Sequence, residues 1–518
     1  MRQNRSMRKS GIRGYQAGDA ISQMMQRAAM AYAGGEWAEA ERCCRQILAT
    51  RSKFFHALNL LGIIAAQTRR PDEAVSLLGR AIAANPGDAT AHNNYANVLR
   101  DLKRFDEALA SYDRALKLKP DYAEAYKNRG NTLSELKRFE EALDSYDHAL
   151  RFTPDDAEVH NSRGNTLWEL ERFLEALDSC DRALKLKSDF AEAHNNRGNS
   201  LRALKRPEDA LASYDRALKL RADYAEVHNN RGNALRELKR FEDALGSYRK
   251  ALDCDPGLLR VYQQLAELLG KMGRTDEAAA VYLSWLEAEP TNPSARHMYA
   301  AASGRNVPER CDSRYVTALF DELALSFDAT LERLEYAAPR LLSAALAARV
   351  PFGQGNLDVL DAGCGTGLCG PLLRSTARVL AGVDLSSEML ARARARNVYD
   401  ELVQAELCEF MESRPHRFDI VNCADTLIYV GALEPVMAAT HRCLRPKGLF
   451  AFTVEALPEG ILSPFRLTMT GRYAHSDRYV REVMASAGFS EPECRTIDLR
   501  KEAGVSVRGF LFLGSVAA

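Results

Sequence analysis

The first half of the chain repeats one pattern of small, apolar and polar positions with a period of 34 residues. Small residues occupy two phases of this period, which are Gly130, Gly164, Gly198 and Gly232, and Ala142, Ala176, Ala210 and Ala244. A third phase carries Tyr112, Tyr146, Tyr214 and Tyr248, with Cys180 in the remaining slot. The apolar positions inside each unit recur at helical spacing, so the pattern predicts two antiparallel helices per repeat.

Extending this frame in both directions gives about eight units over residues 21–292. A period of 34 residues with small residues at fixed phases resembles the tetratricopeptide repeat. One such unit cannot bury its apolar face alone. We therefore expect the units to stack into an all-α superhelix with a concave groove.

Asparagines recur on one face of the first helix of these repeats, at the sixth and ninth positions counted from Ala123. They are Asn94, Asn97, Asn128, Asn131, Asn165, Asn196, Asn199, Asn230 and Asn233. Asparagine is a poor helix former, but its amide both donates and accepts hydrogen bonds. The rows therefore predict a protein or extended peptide partner in the groove, and they resemble the asparagine ladders of armadillo-type importins and of the O-linked N-acetylglucosamine transferase repeats. Duplication of a tolerated surface residue is the alternative.

The second half of the chain changes to short apolar runs that alternate with amphipathic stretches. These runs predict strands at 358–362, 379–384, 402–405, 418–424, 448–454, 494–498 and 507–515. Short runs separated by helices favour a doubly wound α/β sheet of seven strands. Ligands of such sheets bind beyond the carboxyl ends of the strands.

A glycine-rich turn made by Gly363, Gly365 and Gly367 follows the first of these strands. Glycines at this place let the backbone approach a bound cofactor closely. Asp384 ends the next strand, 17 residues after Gly367, close to the spacing at which an acid meets ribose hydroxyls in nucleotide-binding folds. Residues 365–370 also match the dinucleotide pattern G-x-G-x-x-G, so an NAD-type site and a purely structural turn are alternatives.

Asp361 stands two residues before the first glycine, where dinucleotide-binding folds usually keep an apolar residue. Together with the later segments FDIVNCADTLIYV and RCLRPKGLFAFTVE, the turn resembles class I S-adenosylmethionine-dependent methyltransferases. In that family the first strand ends D/E-x-G-x-G-x-G and L-x-P-G-G marks the fifth strand. Lys447 replaces one glycine of the latter motif. The resemblance implies a Rossmann-like domain that binds S-adenosylmethionine and whose last two strands form an antiparallel hairpin.

The resemblance also assigns cofactor-binding residues. They are Asp361, Gly363, Gly365, Gly367, Asp384, Leu385, Met389, Glu406 and Asp425. The glycines would pass under the methionine moiety, Asp361 would orient the site from below, and Asp384 would accept hydrogen bonds from the ribose. Leu385 and Met389 would pack on the adenine. Glu406 would meet the adenine amino group or, alternatively, only begin a helix.

Asp425, Tyr429 and His475 are the candidate catalytic residues. Asp425 and Tyr429 follow the fourth strand, where methyltransferases place groups that face the transferred methyl group. Asp425 could bind the cofactor's amino group, hold a substrate cation or cap the next helix. His475 lies in a segment inserted after the fifth strand, and a lone histidine in such a place is often structural.

Changes in composition along the chain indicate its domains. Residues 293–310 lose the repeat period and predict a linker, residues 311–355 predict a helical lid, and residues 356–518 predict the methyltransferase core. Residues 1–20 form a basic tail. The segment from Tyr315 resembles a bacterial family of predicted methyltransferases fused to tetratricopeptide repeats, which carry Y-V-x-x-L-F-D followed by F-D.

The charge balance narrows the class of partner. The 518 residues include 70 Lys+Arg and 70 Asp+Glu, which argues against a general binder of nucleic acid or of membrane surfaces. There is no apolar run long enough to span a bilayer. The 11 cysteines lack C-x-x-C pairs, so we expect reduced thiols in a cytoplasmic protein and no metal site.

Three functions are compatible with these patterns. The first is a methyltransferase that transfers the methyl group by in-line displacement to a protein or peptide recruited by the repeats. The second is a methyltransferase for a small molecule or glycan in which the repeats serve assembly, and the third is a non-catalytic scaffold. A general base is needed only where the acceptor must lose a proton before attack. The methyl acceptor and the oligomeric state have no signature in the sequence.

Overall fold

The computed structural model describes residues 20–350, 353–458, 460–502 and 504–517. The predicted basic tail, residues 1–20, therefore lies outside the described residues except for its last position. The chain divides into two compact units, Met1–Cys254 and Asp255–Ala518. Within the parts of the chain that the structure describes, every helix is too short or too polar to cross a lipid bilayer.

The first unit is all-α and consists of consecutive helix pairs. Its helices are α1 (20–33), α2 (Trp37–Thr50), α3 (Phe55–Gln67), α4 (Pro71–Ala84), α5 (Ala89–Asp101), α6 (Phe105–Leu118), α7 (Ala123–Glu135), α8 (Phe139–Phe152), α9 (Ala157–Glu169), α10 (Phe173–Leu186), α11 (Ala191–Ala203), α12 (Pro207–Leu220), α13 (Ala225–Glu237) and α14 (Phe241–Cys254). The second unit adds an eighth pair, α15 (Leu259–Lys271) and α16 (Thr275–Ala288), followed by α17 (Pro293–Ser303).

The recurring glycine and tyrosine hold the two helices of a repeat together. A Cβ atom on Gly130 would lie only 2.6 Å from the ring of Tyr146, so the first helix must present glycine where the ring packs. Adjacent repeats are joined by a recurring arginine. Arg129 donates from Nε to Asp113 Oδ1 of the preceding repeat (2.9 Å) and from Nη1 to Ser145 Oγ of its own repeat (2.6 Å). The same arrangement recurs at Arg163, Arg197 and Arg231.

The predicted linker, residues 293–310, is wrong in its first part because α17 occupies it. Asn292 caps this helix by accepting a hydrogen bond from Ala295 N at 2.8 Å, and Pro293 takes the first turn. The loss of the repeat period predicted a break here, but Asn292 and Pro293 begin a helix. His297 of α17 is buried and makes a hydrogen bond to Gly471 O at 2.8 Å, so this helix packs against the turn that precedes Tyr473–His475.

In the described residues of the second unit there is a mixed sheet of nine strands. They are β1 (Leu357–Ala362), β2 (Ala377–Asp384), β3 (Glu401–Gln404), β4 (Phe418–Cys423), β5 (Leu444–Ala456), β6 (Phe465–Leu467), β7 (Tyr473–His475), β8 (Glu493–Glu502) and β9 (Val505–Ser515). The parallel order is β3-β2-β1-β4-β5, and β9 lies antiparallel between β5 and β8. The predicted α/β fold and terminal hairpin are confirmed. The predicted count of seven is wrong, because β6 and β7 form in the segment inserted after β5.

Helices cover both faces of this sheet. They are α18 (Ser313–Leu323), α19 (Phe327–Arg333), α20 (Ala338–Ala347), α21 (Gly370–Leu373), α22 (Ser387–Ala395), α23 (Leu407–Glu412), α24 (Glu434–Cys443) and α25 (Asp477–Ser486), with a 3₁₀ helix at Leu427–Tyr429. One face packs Phe418, Phe450 and Phe452 against α23 to α25, and the other packs Leu342 and Leu346 of α20 against β1 and β2.

A buried ion cluster lies at the amino ends of the central strands. Asp358 at the start of β1 is fully buried and accepts hydrogen bonds from Arg378, Arg417 and Arg445. Burial alone would raise the pKa of Asp358, but the bonds to Arg378 and Arg445 and the charge of Arg417 lower it to about 2. The strands β1, β2, β4 and β5 each contain or adjoin one of these four charged residues. The cluster therefore ties the amino ends of the strands together, opposite the carboxyl ends at which a ligand is expected.

Candidate functional site

The glycine-rich turn after β1 adopts backbone conformations that require glycine. Gly363, Gly365 and Gly367 have φ angles of 71°, 52° and 83°, which place them in the left-handed region. A Cβ atom on Gly363 would also lie 2.1 Å from Oγ1 of Thr426. Sterics alone therefore explain the first glycine, and the turn passes directly above the end of β1.

Asp384 at the end of β2 fixes this turn. Its Oδ2 accepts from Gly365 N and its Oδ1 from Ser386 N, both at 2.9 Å. Burial raises the pKa of Asp384, while these backbone hydrogen bonds oppose the rise. Asp384 also lines the cavity above the turn. Each carboxylate oxygen carries a second lone pair, so it can accept a ligand hydroxyl while it holds the backbone.

Asp361 lies behind the turn, with 1% of its surface exposed. Its oxygens accept from Tyr399 Oη at 2.6 Å and from Asn422 Nδ2 at 3.0 Å. Burial raises the pKa of Asp361 to about 6, although the two hydrogen bonds act to lower it. The Tyr399 ring in turn packs beneath Gly367, where a Cβ atom would lie 2.9 Å from it. Asp361 and Tyr399 thus support the turn from below.

A cavity of about 500 Å³ opens at the carboxyl ends of the strands. Gly363, Gly365 and Asp384 line one side, and Phe320, Phe327, Leu331 and Tyr336 from α18 to α20 and their connections line another. Helices α18 and α19 are fastened to the core by two aspartates. Asp321 accepts from Ser386 Oγ and Asp328 accepts from Thr366 Oγ1, both at 2.5 Å.

Glu406 follows β3, lines the cavity and also caps α23. Its Oε2 accepts from Glu409 N at 3.0 Å, which is the capping interaction. Its Oε1 accepts from Arg310 Nη1 at 3.2 Å. Leu385 lines the cavity as predicted for an adenine contact, whereas Met389 on α22 is fully buried and does not line the cavity. The structure thus separates the two residues that the sequence placed together on the adenine.

Asp425 sits in a strained turn after β4, with a φ angle of 51°. It lines the cavity, and its oxygens accept from Thr453 Oγ1 and from Arg500 Nη1, both at 2.8 Å. Burial raises the pKa of Asp425, and the charge of Arg500 and the Thr453 hydrogen bond oppose the rise. Tyr429 lines the same cavity and packs edge-on against Phe320.

Arg500 connects Asp425 to an ion cluster that lines or adjoins the cavity. This cluster, which we call the cavity ion cluster, consists of Asp425, Glu455, Arg472, Arg500 and Glu502. Arg500 bonds to all three carboxylates, and Arg472 pairs with both glutamates at 2.6–2.8 Å. Three carboxylates share two guanidinium groups. If all five groups are ionised, the cluster carries one excess negative charge in a buried wall of the cavity.

Eight of the nine predicted groove asparagines have hydrogen-bond partners inside the protein. At the ninth position, Oδ1 of Asn97, Asn131, Asn199 and Asn233 accepts from a tyrosine hydroxyl of the same repeat at 2.6–2.8 Å. At the sixth position, Nδ2 of Asn94, Asn128, Asn196 and Asn230 donates to a fifth-position asparagine of the preceding repeat at 2.9–3.5 Å. First helices of successive repeats therefore touch and line the inner side of the stack.

Comparison with known families agrees with this geometry. Residues 360–452 match a family described as "Methyltransferase domain", and tetratricopeptide repeat families match 27–89, 87–155, 127–258 and 235–302. The chain contains tetratricopeptide repeats and a methyltransferase domain. The methyltransferase match runs from β1 to β5 and includes the glycine turn, Asp384 and Asp425.

Curated relatives match part of this chain. One is a malonyl-[acyl-carrier protein] O-methyltransferase of Enterobacter lignolyticus, 36% identical over 118 residues, 22% of this chain and 46% of that protein. Another is a ubiquinone biosynthesis O-methyltransferase of Thiobacillus denitrificans, 34% identical over 101 residues, 18% of this chain and 43% of that protein. The chain thus spans somewhat less than half the length of either relative.

Among solved structures, the protein YrrB is described as a TPR protein with an unusual peptide-binding site. It is 28% identical, and the match covers 36% of this chain and 96% of that one with a TM-score of 0.32.

His475 is not at the cavity of the methyltransferase domain, and its predicted catalytic place is corrected. Its side chain is fully buried, makes a hydrogen bond to Gly431 O at 3.1 Å and stacks on Tyr479. Burial lowers its pKa to about 4, so it is uncharged at neutral pH. The insertion that carries His475 folds as β7 on the end of β5, which turns the imidazole toward the core.

Among the cavity residues that sequence reasoning missed are Thr426, Arg472 and Arg500. Arg472 lies three residues before His475, and Arg500 lies two residues beyond the predicted strand 494–498. Strand β8 is rich in charged residues, so the local sequence does not set Arg500 apart.

Proposed function

We propose that the protein is an S-adenosylmethionine-dependent methyltransferase whose tetratricopeptide groove recruits a protein or an extended peptide as the methyl acceptor. The observation that carries the proposal is the glycine turn fixed by Asp384 at the mouth of an aromatic cavity. The methyltransferase family match and the names of the curated relatives support it.

The residues at the turn suit the cofactor. Asp384 offers carboxylate oxygens to ribose hydroxyls, Leu385 offers an apolar surface to adenine, and Glu406 stands where an adenine amino group could donate. A Cβ atom on Gly365 would point into the cavity toward the Phe327 ring, 4.0 Å away, so glycine leaves that space for the ligand. Asp361 and Met389 act from behind this surface and hold the turn and α22 in place.

The chemistry that S-adenosylmethionine supplies when bound is a methyl group on a positively charged sulfur. The protein must hold the acceptor in line, exclude water and favour positive charge. The cavity ion cluster meets the last need, because its excess carboxylate faces the cavity through Asp425. Phe320 and Tyr429 exclude water from the acceptor side. Asp425 also accepts a proton where the acceptor must lose one, since burial raises its pKa.

A second candidate keeps the enzyme and makes the acceptor a small molecule. The names of the relatives favour it, because ubiquinone biosynthesis involves a small acceptor. The fastened lid agrees, since Asp321 and Asp328 hold it over the cavity. A non-catalytic scaffold would not need Asp384 to be held by two backbone groups at a cavity, and we do not favour it.

Transfer of a labelled methyl group tests the proposal. The full chain is incubated with methyl-labelled S-adenosylmethionine and a heat-treated extract of the source cell, beside a chain shortened to the second compact unit, 255–518. Label in protein that disappears with the shortened chain supports recruitment by the repeats. Label in the small-molecule fraction with both chains favours the second candidate. The absence of enzyme-dependent label in both fractions would contradict methyltransferase activity.

A further inference from the structure

The turn at residues 468–472 joins β6 to β7 and brings Arg472 to the cavity. Gly471 N donates to Thr468 O at 2.9 Å, and Thr468 N donates to Arg472 O at 2.8 Å. The Thr468 hydroxyl donates to the same carbonyl oxygen at 2.9 Å. The backbone of Arg472 is therefore fixed by the turn, while its side chain lines the cavity.

Helix α17 holds this turn through the buried imidazole of His297. Because a carbonyl oxygen only accepts, Nε2 of His297 donates to Gly471 O, at 2.8 Å. Burial lowers the pKa of His297, so the ring is neutral at neutral pH and carries its single proton on Nε2. The ring also stacks on Tyr315 of α18, with centroids 4.5 Å apart. His297 is thus a donor of fixed position and fixed tautomer.

The surrounding helices leave the turn little space. Gly471 has a φ angle of 77°, and a Cβ atom on it would lie 2.8 Å from Tyr315 Oη and 3.1 Å from Met298 Sδ. Helix α15 of the last repeat pair reaches the same turn, since a Cβ atom on Gly270 would lie 2.9 Å from Met469 Cε. The turn is therefore enclosed by α15, α17 and α18.

The place of Arg472 decides the charge of the cavity ion cluster. Its Nε lies 2.8 Å from Glu455 Oε1 and its Nη2 lies 2.6 Å from Glu502 Oε1. With Arg472 in place, the three carboxylates of the cluster exceed its guanidinium groups by one. Without it, Arg500 alone would face all three, and Asp425 at the cavity would belong to a cluster with two excess negative charges.

We infer that His297 is a positioning residue of the methyl-transfer site, which acts through the 468–472 turn on Arg472. The assignment rests on the proposed function and deepens it, because it makes α17 a support of the acceptor side of the cavity. The cofactor side is built separately, since the glycine turn follows β1 and Asp384 ends β2. Loss of the His297 hydrogen bond should therefore affect transfer and leave cofactor binding intact.

Two substitutions of His297 in the full chain separate positioning from packing. His297→Leu fills the site with an apolar side chain and removes the donor. His297→Gln keeps an N–H donor, because its Nε2 is reached from Cβ through the same number of bonds as Nε2 of histidine. His228→Leu is the matched control, since buried His228 of α13 makes the same kind of bond, from Nε2 to Ala222 O at 2.9 Å, in the first unit.

Each protein is measured in two ways. Calorimetric titration gives the affinity for S-adenosylmethionine, and label transfer from saturating methyl-labelled S-adenosylmethionine to a heat-treated extract of the source cell gives the rate. We expect His297→Leu to transfer label about tenfold more slowly or worse, because small displacements of a positioned group cost that much. Its affinity for S-adenosylmethionine should stay within about twofold.

The remaining variants test whether the effect passes through Arg472. His297→Gln should restore the rate to within about threefold of the unmodified protein, since it restores the donor. Arg472→Met should slow transfer at least as much as His297→Leu. The double variant should be no slower than Arg472→Met alone, because both changes act on one side chain. His228→Leu should transfer label at the unmodified rate.

Four results would overturn the assignment. Loss of S-adenosylmethionine binding in His297→Leu would show that the histidine maintains the whole domain. An unchanged rate in His297→Leu, no recovery in His297→Gln, or losses that multiply in the double variant would each show that it does not position Arg472. In all these cases the unmodified protein still transfers label, so the proposed function stands. Absence of transfer by the unmodified protein would instead remove the proposed function and the assignment together.

Discussion

The repeat array and the cavity of the methyltransferase domain use polar residues in opposite ways. The array makes one contact many times, as when a tyrosine hydroxyl meets a ninth-position asparagine in four repeats. The cavity makes each contact once, with Asp384 from β2, Asp425 after β4 and Arg500 from β8. The array therefore depends on many equivalent residues, whereas the cavity depends on individual residues that have no equivalent elsewhere.

This difference teaches where substitutions matter. Removal of one member of a repeated row leaves the other members in place, so the effect on binding is small and adds with further changes. Removal of one charged residue that lines the cavity leaves its buried, oppositely charged partners unpaired, so the loss of stability is large. The following variants are chosen to break or sharpen that contrast.

The largest effect is expected from Arg500→Met. It leaves the carboxylates of Asp425, Glu455 and Glu502 without their shared guanidinium, which should destabilise the second unit by about 3–5 kcal/mol. Denaturant unfolding measures this loss, and Arg508→Met on exposed β9 surface is the control. The loss should shrink as the pH is lowered, because carboxylates that have lost the guanidinium become neutral on protonation. A loss independent of pH would contradict the electrostatic explanation.

Asp384→Asn should weaken S-adenosylmethionine binding about 10–100-fold, because it removes charge-assisted hydrogen bonds to the ribose. Asp400→Asn is a matched control. Asp400 also accepts from a backbone group of β2, Leu380 N at 2.7 Å, but is outside the cavity lining. Calorimetric titration measures both. Equal losses of affinity in the two variants would show that Asp384 affects cofactor binding only through its hydrogen bonds to backbone N–H groups.

Asp358→Asn should destabilise the second unit by about 2 kcal/mol without changing cofactor affinity. The pKa of Asp358 in the folded protein, about 2, lies below its ordinary value of 3.8. Its contribution is therefore complete above the ordinary value and disappears as the pH falls toward 2. Unfolding curves of both proteins should converge over that interval. A change in cofactor affinity would contradict the separation of the two edges of the sheet.

The smallest effect is expected in the array from Cys180→Tyr. The new hydroxyl should donate to Asn165 Oδ1, as in the other repeats, and stabilise the first unit by about 1 kcal/mol. Gly164 already provides the space that the ring needs in equivalent repeats. Cys180→Phe is the control, because it supplies the ring without the hydroxyl. Equal stability of the two variants would show that packing, not the hydrogen bond, explains the recurring tyrosine.

The sequence predicted most of the array because its signal is repeated. The period, the helix pairs and the small residues at their interfaces all follow from spacing. The orientation of the asparagine amides could not be predicted, because it depends on which atom a tyrosine or a neighbouring repeat engages. The helix at Pro293–Ser303 was missed because Asn292 and Pro293 suit a helix start as well as a break.

The cavity was predicted only where its residues are close in sequence. The glycine turn and Asp384 lie within a single strand–helix–strand unit, so local spacing identified them. Arg472, Glu455 and Arg500 belong to β5, the inserted segment and β8, and they meet only in the folded sheet. His475 was misplaced for the same reason, since the direction of an inserted strand is set by the edge on which it pairs.

Titration of S-adenosylmethionine into the full-length protein by calorimetry tests the central claim most directly, with Asp384→Asn and Asp400→Asn in parallel. The structure predicts one site per chain that Asp400→Asn retains and that Asp384→Asn weakens strongly. The absence of saturable binding to the unmodified protein, under conditions in which it is folded, would contradict the assignment of the cavity to this cofactor.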